Sequence, residues 1–182
     1  PSYVYGTGFL INPRTIVTAG HVVEVAPATL DLSNSLVAFG HAPLSVADNS
    51  AVPEADLVNA GYVAGAFPKN DIAFLSLSRR ILTVDAAALS SSYGVGSTGY
   101  TVGYGVTGTG VTGGTTTDYL KRAMANVIDA RSDVLDAGNY ALLQDFDAPD
   151  GSTNTMMEFF GISSNATPLG LEGGTYSGDS GG

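Results

Sequence analysis

Cysteine is absent from the 182 residues, and so is tryptophan. The first absence excludes disulfides, each of which is worth roughly 2–5 kcal/mol in a small secreted domain. Any core must therefore hold by packing and hydrogen bonding alone. Charge is also scarce: Asp, Glu, Lys and Arg make up 13% of the chain, against about 25% in typical globular domains. Bases are the scarcer sign, 7 against 17 acids, for a formal net charge of −10. That balance argues against a nucleic-acid surface, which needs clustered Lys and Arg to meet phosphates. No apolar run reaches the roughly 18 residues of a membrane span, and no internal repeat is evident. No signal peptide is visible; the chain starts in mid-pattern at Pro1-Ser2-Tyr3, so any leader is expected to be already gone or not included.

What is plentiful is glycine, at 24 residues, together with Val, Thr, Ser and Tyr. That mixture suits short strands joined by tight turns. Strands are expected over residues 3–11, 14–18, 36–39, 57–63, 72–77, 100–104, 140–146 and 156–162. Residues 119–129 fit an amphipathic helix or a long strand, and the strand is favoured in this context. A helical turn is expected at His21-Val22-Val23, and a mobile loop in the Gly/Thr-rich stretch 105–117. The expected class is all-β, a barrel or sandwich. The Ser/Gly-rich stretch 90–99 is expected to connect two lobes, 1–89 and 90–182.

Three short segments carry chemistry: Thr18-Ala19-Gly20-His21, Asn70-Asp71-Ile72-Ala73 and Gly178-Asp179-Ser180-Gly181-Gly182. A hydroxyl is a poor nucleophile at neutral pH and needs a base within hydrogen-bond reach, itself oriented by a third group. In this order, with Gly-Thr-Gly-Phe-Leu-Ile upstream, the segments resemble the triad segments of the trypsin-like (chymotrypsin-fold) serine endopeptidases. The absence of cysteine points to a bacterial branch. Gly103-Tyr104-Gly105 is similar to the Gly-aromatic-Gly element that opens the second barrel in that family.

The resemblance implies two six-stranded Greek-key β-barrels. Residues 1–89 would carry His21 and Asp71, and residues 90–182 would carry Ser180 in a second barrel incomplete in this chain. It implies Ser180 as nucleophile, His21 as base and Asp71 as the group that fixes the His21 tautomer. The Gly178 and Ser180 N–H groups would form the oxyanion hole. The specificity pocket would include Gly174 and Thr175, where trypsins proper have an Asp at the first position, so a small or apolar preferred residue is expected. Asp179 is the structural acid that in the family meets a newly freed N-terminal amine; Pro1 starts too close to the His21 strand for that part, so missing upstream residues or another group would have to satisfy Asp179. Gly20 replaces a more usual Ala and is expected to be harmless.

The implied partner is a protein or peptide substrate, with no nucleic acid and no membrane span. The implied location is secreted, periplasmic or cell-surface, in a bacterium. The family's last strands would follow Gly182, so the chain is expected to be completed by further residues or another fragment. Two rival readings stand: a non-catalytic binding or structural module, and a quality-control protease, against which the Asp of Asp179-Ser180 argues.

No cofactor is expected. Asp145, Asp147 and Asp150 resemble a calcium loop, since hard cations want clustered carboxylates. The spacing departs from an EF-hand by one residue and contains Pro149; the alternative is a turn on an acidic, solvated face. His41 is expected in a surface turn, Asn165-Ala166-Thr167 fits a glycosylation sequon, and Arg79-Arg80 and Lys121-Arg122 read as solvated pairs rather than processing sites.

Overall fold

The computed structural model describes residues 5–25, 28–40, 50–64, 69–109, 112–135, 141–148, 150, 152, 154–162, 169–170 and 172–182. His41 and the Asn165 sequon lie outside them. Strands predominate: β1 Phe9–Asn12, β2 Thr15–Thr18, β3 Glu24–Val25, β4 Ala28–Thr29, β5 Val37–Ala38, β6 Ser50–Ala51, β7 Pro53–Val58, β8 Ala73–Leu77, β9 Thr98–Gly103, β10 Thr107–Thr109, β11 Gly113–Thr116, β12 Arg122–Val127, β13 Ala130–Arg131 and β14 Leu142–Leu143. Two short helices are α1, Gly20–Val23, and α2, Thr155–Phe160. Among the described residues the strands pair as one four-stranded sheet, β1-β2-β8-β7, and five two-stranded ladders.

The chain divides into two compact units. The first comprises Pro1–Leu89, Gly103–Arg122 and Tyr176–Gly182; the second comprises Ser90–Val102 and Ala123–Thr175. Two segments beyond residue 89 thus belong to the first unit. They are bound into it by hydrogen bonds: Thr7 N–H to Ser180 O at 2.8 Å, and Val106 N–H to Ser177 O at 2.9 Å.

The first unit is built on β8. Its alternation buries Ala73, Leu75 and Leu77 on one face, as period-two patterning requires. These side chains join Leu10, Ile16, Val23, Ala51 and Ile81 in one apolar cluster. β2 pairs antiparallel with β8, with Ile16 opposite Leu75 and Thr18 opposite Ala73. Residues 105–117, expected as a loop, instead contain the β10–β11 hairpin, with Thr109 opposite Gly113. Its turn is closed by reciprocal bonds between the Thr109 and Thr112 hydroxyls and backbone N–H groups.

In the second unit the strand reading of 119–129 holds, as β12. The strand expected at 156–162 is instead α2. Asn154 caps the helix by accepting from Met157 N–H at 2.8 Å, and Gly161 ends it at φ 66°. A good N-cap and a left-handed glycine C-cap outweigh the strand preference of the Phe-rich segment.

Candidate active site

The β2–β8 register carries the first half of the site. Because Thr18 lies opposite Ala73, the chain leaving β2 and the chain entering β8 bring His21 and Asp71 side by side. α1 begins there and turns the imidazole back onto the carboxylate. Asp71 accepts twice from His21: Oδ1 from the backbone N–H at 2.8 Å, and Oδ2 from Nδ1 at 2.7 Å. The approach to Asp71 is set by Asn70, which sits at φ 58°, a left-handed conformation that Asn tolerates. The Asn70 side chain donates to Gly61 O at 3.0 Å.

A carboxylate only accepts, so Nδ1 carries the proton in neutral His21 and Nε2 keeps a lone pair. Asp71 is largely covered, with its side chain 11% exposed, while the imidazole is 45% exposed. The Tyr62 ring closes over this corner: a Cβ placed on Gly20 would lie 3.3 Å from two of its ring carbons and 3.1 Å from Asp71 Oδ1. Burial first, then the negative charges of Asp71 and Glu24, push the Tyr62 hydroxyl up from its ordinary pKa.

The Gly178–Gly182 segment lies in the same unit. Gly178 and Gly181 have φ of 95° and 91°, values that only glycine adopts readily. Both also meet close neighbours: the Tyr5 ring packs on Gly178, and Gly181 packs on Thr18 Oγ1 and Ala19 N. Side chains at either position would clash as well as strain the backbone. Tyr5 is itself held edge-to-face by Tyr119, with centroids 5.4 Å apart.

Asp179 is satisfied by backbone donors. Its Oδ1 accepts from Gly105 N–H at 2.8 Å, and its Oδ2 from Tyr176 N–H at 3.0 Å. Among the described residues, neither the Gly178 nor the Ser180 N–H finds an acceptor. Two donors one residue apart are thus free to meet an external oxygen. No hydrogen bond joins Ser180 Oγ to His21 among the described residues. The His21 turn and the serine nevertheless both lie beside Gly6: a Cβ placed there would meet the Val22 side chain and, at 3.1 Å, Ser180 O.

Thr7 ties these parts together, and sequence reasoning gave it no role. Its hydroxyl donates to Gly178 O at 2.9 Å and accepts from Tyr104 N–H at 3.2 Å. The available signal was its place in Gly6-Thr7-Gly8, a polar residue between two glycines just ahead of β1.

Gly174 and Thr175 lie in the second unit, exposed. A Cβ on Gly174 would meet only the Phe146 Cβ, at 3.8 Å, so the space beside Gly174 is open. Of the three carboxylates considered for calcium, Asp145 and Asp147 are buried, but Asp150 is exposed and turned onto its own Ser152 N–H at 3.0 Å. No group of three acidic or histidine side chains fit to hold a metal ion occurs among the described residues. Asp147 instead faces Asp145 and Glu172. Burial and those charges raise its carboxyl pKa above the ordinary value. One member of each basic pair is engaged on the surface: Arg79 Nε donates to Ser50 O, and Arg122 grips Asp118 through both terminal nitrogens at 2.7 Å, holding that carboxyl down at about 2.

A family model described as Trypsin matches residues 2–182. Among curated proteins, none matches the chain. Among the described residues no helix is long and apolar enough to cross a membrane.

Proposed function

Because the chain belongs to the trypsin family, with its chymotrypsin fold and serine-protease character, we propose that it is an endopeptidase working through an acyl-enzyme on a His21–Asp71–Ser180 triad. The carrying observation is the double hydrogen bond from His21 to Asp71 at 2.7 and 2.8 Å. It leaves Nε2 as the only basic nitrogen of the neutral ring.

In this reading Ser180 Oγ attacks the scissile carbonyl and passes its proton to His21 Nε2. The carbonyl oxygen takes the negative charge and meets the Gly178 and Ser180 N–H groups. The imidazolium, steadied by Asp71, then hands its proton to the leaving amine as the C–N bond breaks. Water repeats the sequence on the acyl-enzyme, with His21 again as base, and frees the carboxylic acid and Ser180. The division into a His21/Asp71 barrel over 1–89 and a Ser180 barrel over 90–182 belongs to the same reading, as does a secreted, periplasmic or cell-surface bacterial location. The open space beside Gly174, with no carboxylate at that position, supports a small or apolar preferred residue.

The rival is a non-catalytic module on the same fold. Fluorophosphonate labelling of the full-length protein separates the two. Labelling lost in Ser180→Ala supports the enzyme, and its absence in the wild type favours the module. Asp71→Asn should lower kcat on the order of 10⁴, the size known for this family's triad; a loss under tenfold would remove Asp71 from its role. Activity should fall in acid, because the base must be neutral to accept the Ser180 proton.

A further inference from the structure

Thr7 is 5% exposed, yet each of its polar groups is engaged. Its N–H donates to Ser180 O at 2.8 Å. Its carbonyl accepts from the Thr18 hydroxyl at 2.7 Å. Its own hydroxyl donates to Gly178 O at 2.9 Å and accepts from Tyr104 N–H at 3.2 Å. One residue thus holds the carbonyls of both Gly178 and Ser180, the two residues whose N–H groups find no acceptor among the described residues.

Those carbonyls orient the peptide planes that follow the two residues. A rotation of the 178–179 peptide would move the chain between the two donors and change how they are aimed. Gly178 and Gly181, at positive φ, resist such rotation less than other residues would, because glycine has the wider choice of conformations. The backbone bond from Thr7 N–H could come from almost any residue. The bonds to Gly178 O and Tyr104 N–H need a hydroxyl, and in a buried place their loss leaves both groups unpaired.

We propose that the Thr7 hydroxyl is a positioning residue for the oxyanion donors, fixing the Gly178–Ser180 backbone by bridging Gly178 O to Tyr104 N–H. The inference rests on the protease reading for its catalytic consequence, but not for its structural one.

The test compares Thr7→Val, which keeps the shape and loses the hydroxyl, with Thr7→Ser, which keeps the hydroxyl. Both are assayed well below their melting temperatures. Thr7→Val should lower kcat by about tenfold to a hundredfold, less than the 10²–10³ for deleting an oxyanion donor outright, with KM within about twofold. Thr7→Ser should stay within about threefold of wild type. In a Ser180→Ala background, hydrogen exchange at residues 178–182 should accelerate with Thr7→Val and not with Thr7→Ser. Equal losses of kcat in both variants would show that keeping the hydroxyl does not preserve the function, and would overturn the proposal. So would unchanged exchange at 178–182 in Thr7→Val. If the wild type shows no Ser180-dependent labelling, the protease reading falls, and the exchange comparison alone decides whether Thr7 anchors the segment.

Discussion

The two compact units hold themselves together by different means. The first buries an apolar cluster, Leu10, Ile16, Val23, Leu75, Leu77 and Ile81 among it, against a sheet whose β2–β8 and β7–β8 ladders satisfy the backbone. The second buries Ala125, Ile128, Ala130 and Met156 beside Asn126, Asp129, Ser132, Asp145 and Asp147. Its β13 and β14 are two residues each. Side chains there take over what ladders do elsewhere. Asn126 Nδ2 donates to the carbonyls of Asp145 and Gly173. Asp129 Oδ2 accepts from Asp145 N–H at 3.2 Å, and Glu172 accepts from the N–H groups of Asp147 and Leu169 at 2.8 and 2.7 Å. Asp145 and Asp147, which the sequence also allows on a solvated acidic face, are thus interior. Where the backbone is irregular, buried polar atoms need partners, and carboxylates accept from several N–H groups at once.

The sharpest way to break this contrast is a pair of truncations. Leu77 is fully buried, and Leu77→Ala should cost about 2–5 kcal/mol through lost transfer energy and a cavity. Asn126→Ala removes almost no apolar surface but strands two carbonyls, and should cost about 1–3 kcal/mol. Urea unfolding of both variants measures the difference. An Asn126→Ala cost equal to or above that of Leu77→Ala would mean that the two interiors are held alike or in the reverse order.

A smaller effect sharpens the contrast by pH. Asp147 Oδ2 is buried and finds no hydrogen-bond partner among the described residues, and its carboxyl pKa is raised, first by burial and then by Asp145. The folded state therefore holds this proton more tightly than the unfolded one. The stability it contributes is fully present below the ordinary value of 3.8 and is lost as pH rises through the raised one. Asp147→Asn keeps an acceptor for Thr155 N–H and removes the charge. It should raise Tm at pH 7 and flatten the slope of Tm between about pH 4 and 7. A Tm that falls at pH 7 would show that the ionised carboxylate is stabilising, and would break the account of the second interior.

The same contrast explains what could be read in advance. The β1–β2 hairpin, the His21 turn and β8 were legible because alternation and a turn at Asn12-Pro13 suffice to specify them. The pairing of His21 with Asp71 was legible because short motifs flank each. In the second unit the reading weakened. Met156–Ile162 has the pattern of a strand, but cap residues Asn154 and Gly161, at or outside its ends, make it a helix. The interior place of Asp145 and Asp147 is not legible, because burial of a carboxylate leaves no local pattern. Thr7 went unassigned for a related reason: its partners, Gly178 and Tyr104, lie 171 and 97 residues away.

Gly20 carries the smallest effect and tests how closely the first unit is fitted around its site. Ala is the residue usual in the family at this position, so the exchange looked harmless from sequence. Here a Cβ would stand 3.1 Å from Asp71 Oδ1 and 3.3 Å from the Tyr62 ring, so one of them must yield by a few tenths of an ångström. Tyr62 is the freer of the two at its edge, but Asp71 is tied to His21 twice, and any shift passes to the imidazole. If His21 is the base, as proposed, misplacing it matters: about 1 Å costs on the order of 10²-fold, so a displacement of this size should lower kcat of Gly20→Ala by about threefold to tenfold, with KM unchanged. Replacing Tyr62 by Leu in the same variant should recover most of that loss, because the side chain that crowds the new methyl is gone. If Gly20→Ala retains full kcat, Tyr62 moves aside at no cost and the corner around Asp71 is looser than its distances imply.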